Sequence, residues 1–312
     1  MLGFFLFFIA SIYFYKLLLN RFSNYYVSLI GVLFFILSPR IYGHSFFNPK
    51  AGITYKLNDE NNFYFSYARA NREPNRDDFE NNETVKPEQL NDFELGYRFT
   101  KERARVFANL YFMDYRDQLV LTGAIDDVGA PIRQNSGSSY RLGVEVEAGF
   151  QLGSQFAITP NIALSTNKNR DFFFQRDGEL QNLGNTNISF SPEIIAGNRL
   201  DFFPVQNLRL SLLSKYVGEQ YLGNIDAESS KLDAYFINDF NVQYDLKNIG
   251  FAKQITLTAL VNNIFSETYV SNGYFFTYDD DFSNPGTVTT IEGTGYYPQA
   301  KINFLIGATV RF

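Results

Sequence analysis

Along most of this chain apolar and polar residues alternate strictly, in about eleven separate segments. In the last of them Ile302, Phe304, Ile306, Ala308, Val310 and Phe312 share one parity, and Lys301, Asn303, Leu305, Gly307, Thr309 and Arg311 the other. Side chains of an extended strand point to opposite faces with period two, so each segment predicts a strand with one apolar face. The same pattern places Phe93, Leu95, Tyr97 and Phe99 against Glu94, Gly96, Arg98 and Thr100. It sets Leu142, Val144, Val146, Ala148 and Phe150 against Arg141, Gly143, Glu145, Glu147 and Gly149. Segments of about nine to twelve residues match a tilted strand that crosses a bilayer.

The connections sort by length. Short ones lie near Asn58–Asn61, Thr100–Arg103, Leu152–Ser154, Pro204–Gln206 and Asp245–Lys253. Long ones lie at Asn71–Gln89, Arg116–Ser139, Lys168–Pro192, Gly218–Ala234 and Ile264–Ala300. Turns short on one side and loops long on the other mark an outer-membrane barrel, whereas a soluble sandwich has no reason for such sorting. The expected fold class is therefore all-β, an antiparallel transmembrane β-barrel portion of about eleven strands. An odd count leaves two edges unpaired in lipid, so the sheet reads as half of a larger barrel.

Composition agrees. The 34 Phe and 21 Tyr among 312 residues suit lipid-facing strands ending in aromatic girdles. A net charge of −6 leaves no footprint for nucleic acid. With no Cys and one His, His44, thiol chemistry, Cys-ligated metals, His-cluster metal sites and His-based catalysis are not expected. No catalytic residue, no metal site and no cofactor is expected, and the chain does not read as an enzyme. Residues 1–46 differ from the rest: Leu2 to Leu19 and Val27 to Leu37 are apolar runs of membrane-helix character. No basic residue precedes the first run and no clear cleavage site follows it, so a signal peptide fits poorly. The segment reads as helical and as a foreign or misjoined frame, in conflict with an outer-membrane location.

Several segments carry a family resemblance. They are Phe47-Asn48-Pro49-Lys50-Ala51-Gly52, Phe65-Ser66-Tyr67-Ala68-Arg69-Ala70 and Arg72-Glu73-Pro74-Asn75-Arg76. Leu90-Asn91-Asp92-Phe93-Glu94-Leu95-Gly96-Tyr97 and Tyr140-Arg141-Leu142-Gly143-Val144-Glu145 follow. The most specific are Val261-Asn262-Asn263-Ile264-Phe265-Ser266-Glu267-Thr268-Tyr269 and Tyr297-Pro298-Gln299-Ala300 before the terminal strand. In this order residues 47–312 resemble the C-terminal half of a TonB-dependent outer-membrane receptor, and residues 1–46 do not. The resemblance implies half of a 22-stranded barrel without its plug domain. It further implies TonB-energised uptake of a scarce ligand such as a siderophore-iron complex, with TonB engaged through the missing plug. Implied partners are outer-membrane lipid, a small-molecule ligand and the outer-membrane assembly machinery, which reads a terminal strand ending in an aromatic, here Phe312. By itself the fragment is expected neither to insert stably nor to transport.

Candidate ligand-binding residues lie in the long loops. Arg69, Arg72 and Arg76 suit an anionic chelate, against the simpler reading of local pairing with Glu73, Asp77 and Asp78. Phe173, Tyr274, Phe276 and Tyr278 are rings able to stack on sugars or aromatic chelators, or else on one another. Asp279, Asp280 and Asp281 lack the spacing of a calcium loop and read as a solvated turn. Two rival readings remain: a passive porin-like barrel of about twelve strands, which requires first-to-last strand pairing, and an outer-membrane adhesin or structural barrel.

Overall fold

The structure, a computed structural model, describes residues 46–75, 78–79, 84–125, 131–250 and 252–312. The apolar segment read as helical therefore lies, but for its last residue, outside the described residues. In chain order the strands are β1 (Lys50–Lys56), β2 (Asn61–Arg72), β3 (Glu88–Lys101), β4 (Ala104–Arg116), β5 (Leu119–Ile125), β6 (Pro131–Asn135) and β7 (Ser138–Leu152). There follow β8 (Phe156–Arg170), β9 (Phe173–Arg176), β10 (Glu179–Asn182), β11 (Thr186–Asn187), β12 (Ile194–Phe202), β13 (Leu208–Val217) and β14 (Gln220–Tyr221). The last are β15 (Lys231–Leu232), β16 (Tyr235–Ile249), β17 (Ala252–Asn262), β18 (Val270–Asp280), β19 (Thr289–Pro298) and β20 (Asn303–Arg311).

Eleven strands form a meandering wall in the order β1-β2-β3-β4-β7-β8-β12-β13-β16-β17-β20, with short β11 added beside β8. They are the eleven alternating segments of the sequence. Several run longer than expected, with β7, β8 and β16 each 15 residues. Tight turns join them at one end. Asn58 Oδ1 accepts the backbone N–H groups of Glu60 (3.0 Å) and Asn61 (2.9 Å), an Asx turn that closes β1 onto β2. Asn207, at φ 69°, leads into β13 in the left-handed region that asparagine tolerates.

Register carries the apolar parity unbroken from strand to strand. One rung runs Ile53, Phe65, Leu95, Leu110, Val144, Leu164, Ile194 across seven strands. Its members lie open: Ile53 is 67% exposed, Leu95 53% and Leu110 46%. Large apolar side chains cover an outer surface this consistently only where the solvent is lipid. The opposite parity is polar, one rung running Asn62, Arg98, Phe107, Glu147, Asn161, Gly197, Lys215. No helix of the described residues is long and apolar enough to cross a membrane.

The wall does not close. β1 pairs only with β2 and β20 only with β17, and every residue of both strands is exposed. Ten successive antiparallel steps leave β1 and β20 running in the same direction, so joining them would make the one parallel pair of the sheet. The first-to-last pairing that a self-contained channel requires is absent from the described strands.

Candidate functional site

The long loops fold together into a cap above the wall. Their Phe and Leu residues are spaced so that alternate positions turn inward. Phe172 and Phe174 are buried while Phe173 between them is 49% exposed. With Val120 and Ile225 the two buried rings form a core, against which Leu183, Ala227 and Phe275 pack. Four loops thus contribute to one cluster: those carrying β5 and β6, β9 and β10, β14 and β15, and β18 and β19.

Polar contacts lock the same loops. Arg176 Nη2 donates to Glu292 Oε1 at 2.7 Å, joining β9 to β19. The Asp177 N–H donates to Thr290 Oγ1 (2.7 Å), and the Thr290 N–H donates back to Asp177 Oδ1 (2.8 Å). The Ser229 carbonyl, in a 3-10 turn over Glu228–Ser230, accepts from Thr294 Oγ1 (2.7 Å) and from the Tyr296 hydroxyl (3.0 Å). Asp226 accepts from the backbone N–H (2.8 Å) and side-chain amide (3.1 Å) of Asn187.

The β18–β19 hairpin divides its rings by parity. Phe275 faces the core, while Tyr274, Phe276 and Tyr278 share the other face, with centroid spacings of 6.2 and 6.4 Å. Tyr297 on β19 extends this row, 5.9 Å from Tyr274. The rings lie across Gly293 and Gly295; a Cβ on either glycine would fall 2.2 Å from a ring atom of Phe276 or Tyr274. Side chains there would have to displace the rings, so the two glycines are what lets the row lie flat. A third ring needs roughly 7 Å between its neighbours. The room for a further ring is on the outside of the row, where Tyr274 (50%) and Tyr278 (52%) are exposed.

The three candidate arginines part company. Arg72 has inward parity and lies 3.7 Å from Glu88, which also accepts the Leu119 N–H (2.9 Å). Arg69 has outward parity and donates to Gln89 Oε1 (3.1 Å). Arg76 lies outside the described residues. Asp78, expected to pair within its own loop, reaches Arg133 at 3.4 Å. Asp280 does close a solvated turn: hydrogen bonds from Ser283, chiefly its backbone N–H, and from the Phe282 N–H hold its carboxyl below the usual range. No cluster of three or more metal-ligating side chains occurs among the described residues.

Inside the wall, Arg98 stands 5.3 Å from the rings of both Tyr64 and Phe107, and Arg141 donates to Ser191 Oγ (2.8 Å) and Asn167 Oδ1 (3.3 Å). Arg98, Arg105, Phe107 and Glu147 line a depression of about 400 Å³. The cap core escaped the sequence reading because its members come from loops far apart in the chain. A local signal was present, however. Tyr274 to Tyr278 is a run rich in strand-favouring aromatics, and Asn284-Pro285-Gly286 after it is a turn sequence followed by the Thr- and Ile-containing stretch Thr287 to Ile291.

Known proteins supply the frame for this architecture. The family model for the TonB dependent receptor-like β-barrel matches residues 21–264, beginning ahead of the boundary expected at Phe47. Among curated proteins none matches. The ferric-catecholate import receptor Fiu from E. coli K12, in its closed form, superposes with a TM-score of 0.60 at 17% identity, covering 85% of this chain and 35% of Fiu. For the unliganded ferric citrate transporter FecA the values are 0.61, 18%, 84% and 37%. The siderophore receptor PiuA from Acinetobacter baumannii gives 0.58, 16%, 83% and 35%. The chain thus spans little more than a third of these structures, and the likeness shows a shared fold. With the family model matching most of its length, the chain belongs to the TonB-dependent receptor β-barrel family of the outer membrane.

Proposed function

We propose that this chain is the C-terminal barrel wall and loop cap of an outer-membrane receptor that takes up a scarce small ligand, an iron chelate or similar, with energy relayed by TonB. It acts as a transporter and not as an enzyme. The observation that carries the reading is the cap: four loops held by a common core present a row of rings, exposed Tyr274, Tyr278 and Tyr297 with half-buried Phe276 among them. Those rings, with Phe173, stack on the ligand; Arg72 and Arg76 attract its negative charge.

The inner face supports a second part of the proposal, that the wall encloses a polar plug in the complete receptor. Asp92 Oδ1 and Arg209 Nε, both of inward parity, are buried without a hydrogen-bond partner. Such atoms are costly unless a further polar surface meets them. Phe312 serves as the signal read by the assembly machinery. Fiu and FecA are receptors for a ferric catecholate and ferric citrate, which makes these two chelates the first probes. In cells carrying the complete receptor, uptake of radiolabelled iron from each should be saturable, lost without TonB, and reduced about tenfold by Tyr274→Ala with Tyr278→Ala. Uptake of neither chelate that depends on TonB would sink the reading for iron chelates.

A further inference from the structure

The β18–β19 hairpin has a second face, turned away from the ring row. A bulge between Val270 and Asn272 breaks the alternation of β18, so Val270 shares its face with Gly273, Tyr296 and Pro298 and not with Tyr274. Where that face meets the start of β16, Val270, Tyr296 and Pro298 border a depression of about 270 Å³. Asp233, Tyr235, Glu267 and Tyr269 border it from the other side. Tyr235 opens β16 with the inward parity of its register partner Val217, and its ring centroid lies 4.5 Å from that of Tyr269. Three phenol rings and two carboxylates therefore meet at one pocket.

The backbone beneath these groups is clamped. Buried Asn263 accepts the Glu267 N–H at Oδ1 (2.9 Å) and donates from Nδ2 to the Glu267 carbonyl (2.8 Å). Its own N–H donates to Asp239 Oδ1 (2.7 Å). The Tyr269 carbonyl accepts the Gln299 N–H (3.0 Å), and the Tyr296 hydroxyl is tied to the Ser229 carbonyl. Groups fixed in this way lower the ordering cost of binding. Charge then selects the ligand. The connections 218–234 and 264–300 hold nine carboxylates and one basic residue, Lys231, so their field draws cations to this side of the cap. Lys231 is engaged by Glu219 at 2.9 Å, and the carboxylates of Asp233 and Glu267 have no ion-pair partner among the described residues. Ring faces attract positive charge and offer apolar surface to alkyl groups, which a hydrated metal ion lacks.

We propose that the pocket between β16 and the base of the β18–β19 hairpin binds a small organic ammonium ion. Asp233 and Glu267 balance its charge, and Tyr235, Tyr269 and Tyr296 cover its alkyl groups. The site is separate from the ring row that stacks on a chelate. The test uses the full chain in neutral maltoside micelles at physiological salt, with labelled choline as the probe. Equilibrium dialysis should give one bound choline per chain. The neutral isostere, in which a tert-butyl group replaces the trimethylammonium, should displace it about tenfold more weakly than unlabelled choline does. Asp233→Asn together with Glu267→Gln should abolish binding. Tyr269→Leu should weaken it about tenfold, Tyr269→Phe should keep it, and Asp281→Asn in the hairpin tip should leave it unchanged. No binding of choline, equal displacement by the neutral isostere, or binding that survives loss of both carboxylates would each overturn the proposal. Displacement by calcium at equal concentration would do the same, because the pocket would then be a general carboxylate site for cations. The complete receptor should bind choline as this chain does. Loss of binding there would mean that the receptor's own side chains fill the pocket, and would overturn the assignment of an external ligand. Should Tyr269→Leu lose its strand circular-dichroism signal, the comparison of choline with its neutral isostere on the unmodified chain decides alone.

Discussion

The wall and the cap solve the burial problem in opposite directions. In the wall the apolar parity faces out and the polar parity in, so Leu95 and Leu110 stay about half exposed while inward Asn109 and Ser211 are buried. In the cap Phe172, Leu222 and Leu232 are almost wholly inside. The same residue types thus mark an outer surface in one region and a core in the other. The difference is the solvent: lipid removes the reason to hide an apolar side chain, and water above the membrane restores it. Backbone polarity inverts the contrast. Loops in water tolerate unpaired N–H and C=O groups, whereas each such group costs several kcal/mol in hydrocarbon. By this argument the cap needs no further partner, whereas the wall is expected to need one at each of its edges, β1 and β20.

The largest expected effect tests those edges. Added to lipid vesicles, the chain by itself should give no heat-modifiable band on a denaturing gel. A further sheet with an odd number of strands, both of its edge strands opposed to β1 and β20, should restore one. A heat-modifiable barrel made from this chain alone would erase the distinction between wall and cap.

Next in size is Phe172→Ala, which empties the cap core and should cost about 3–5 kcal/mol of cap stability. Hydrogen exchange in β9 and β18 would rise while the wall stayed protected. Leu110→Ala in the wall should cost far less, since lipid fills the gap. Leu110→Arg at the same site places a charge in hydrocarbon and should cost about 2–4 kcal/mol, read as a lower urea midpoint in vesicles that hold the closed barrel. If both alanine variants cost the same, the two regions do not differ in solvent.

Smaller effects concern how the loops are tied together. Arg176→Ala removes the partly exposed pair with Glu292 and should cost about 1 kcal/mol or less. Faster proteolytic nicking of the β9–β10 hairpin, with wall strands unchanged, is the expected sign. The smallest effect is acid-dependent. The carboxyl of Asp280 is held below its ordinary value, so its contribution to the hairpin tip is complete above the ordinary carboxylate pKa of about 3.9. It is lost as pH falls further, through the lowered value of the folded state. Exchange at the Ser283 N–H should quicken only in that acid range, and Asp280→Asn should remove the step.

Much of the wall was legible because each of its determinants is local. A period of two assigns every side chain of β7 or β20 to a face without knowledge of the neighbouring strand, and loop length alone tells one end of the barrel from the other. The candidate site was legible only in part. Tyr274, Phe276 and Tyr278 share a face by the same alternation, but nothing in their neighbourhood tells that face from the one Phe275 takes into the core. Arg69 and Arg72 sit three residues apart and looked like one charged group; opposite parity on β2 sends them to opposite sides of the wall.

By itself, then, the sequence determined the strand repeat, the apolar face and the sorting of turns from loops, all properties of residues within a few positions of one another. Only the tertiary structure decided which loops meet. Arg176 and Glu292 are 116 residues apart, and Asn169 and Asn224 are 55 apart. Such contacts exist because the wall brings the ends of distant strands side by side, and no local pattern encodes that meeting.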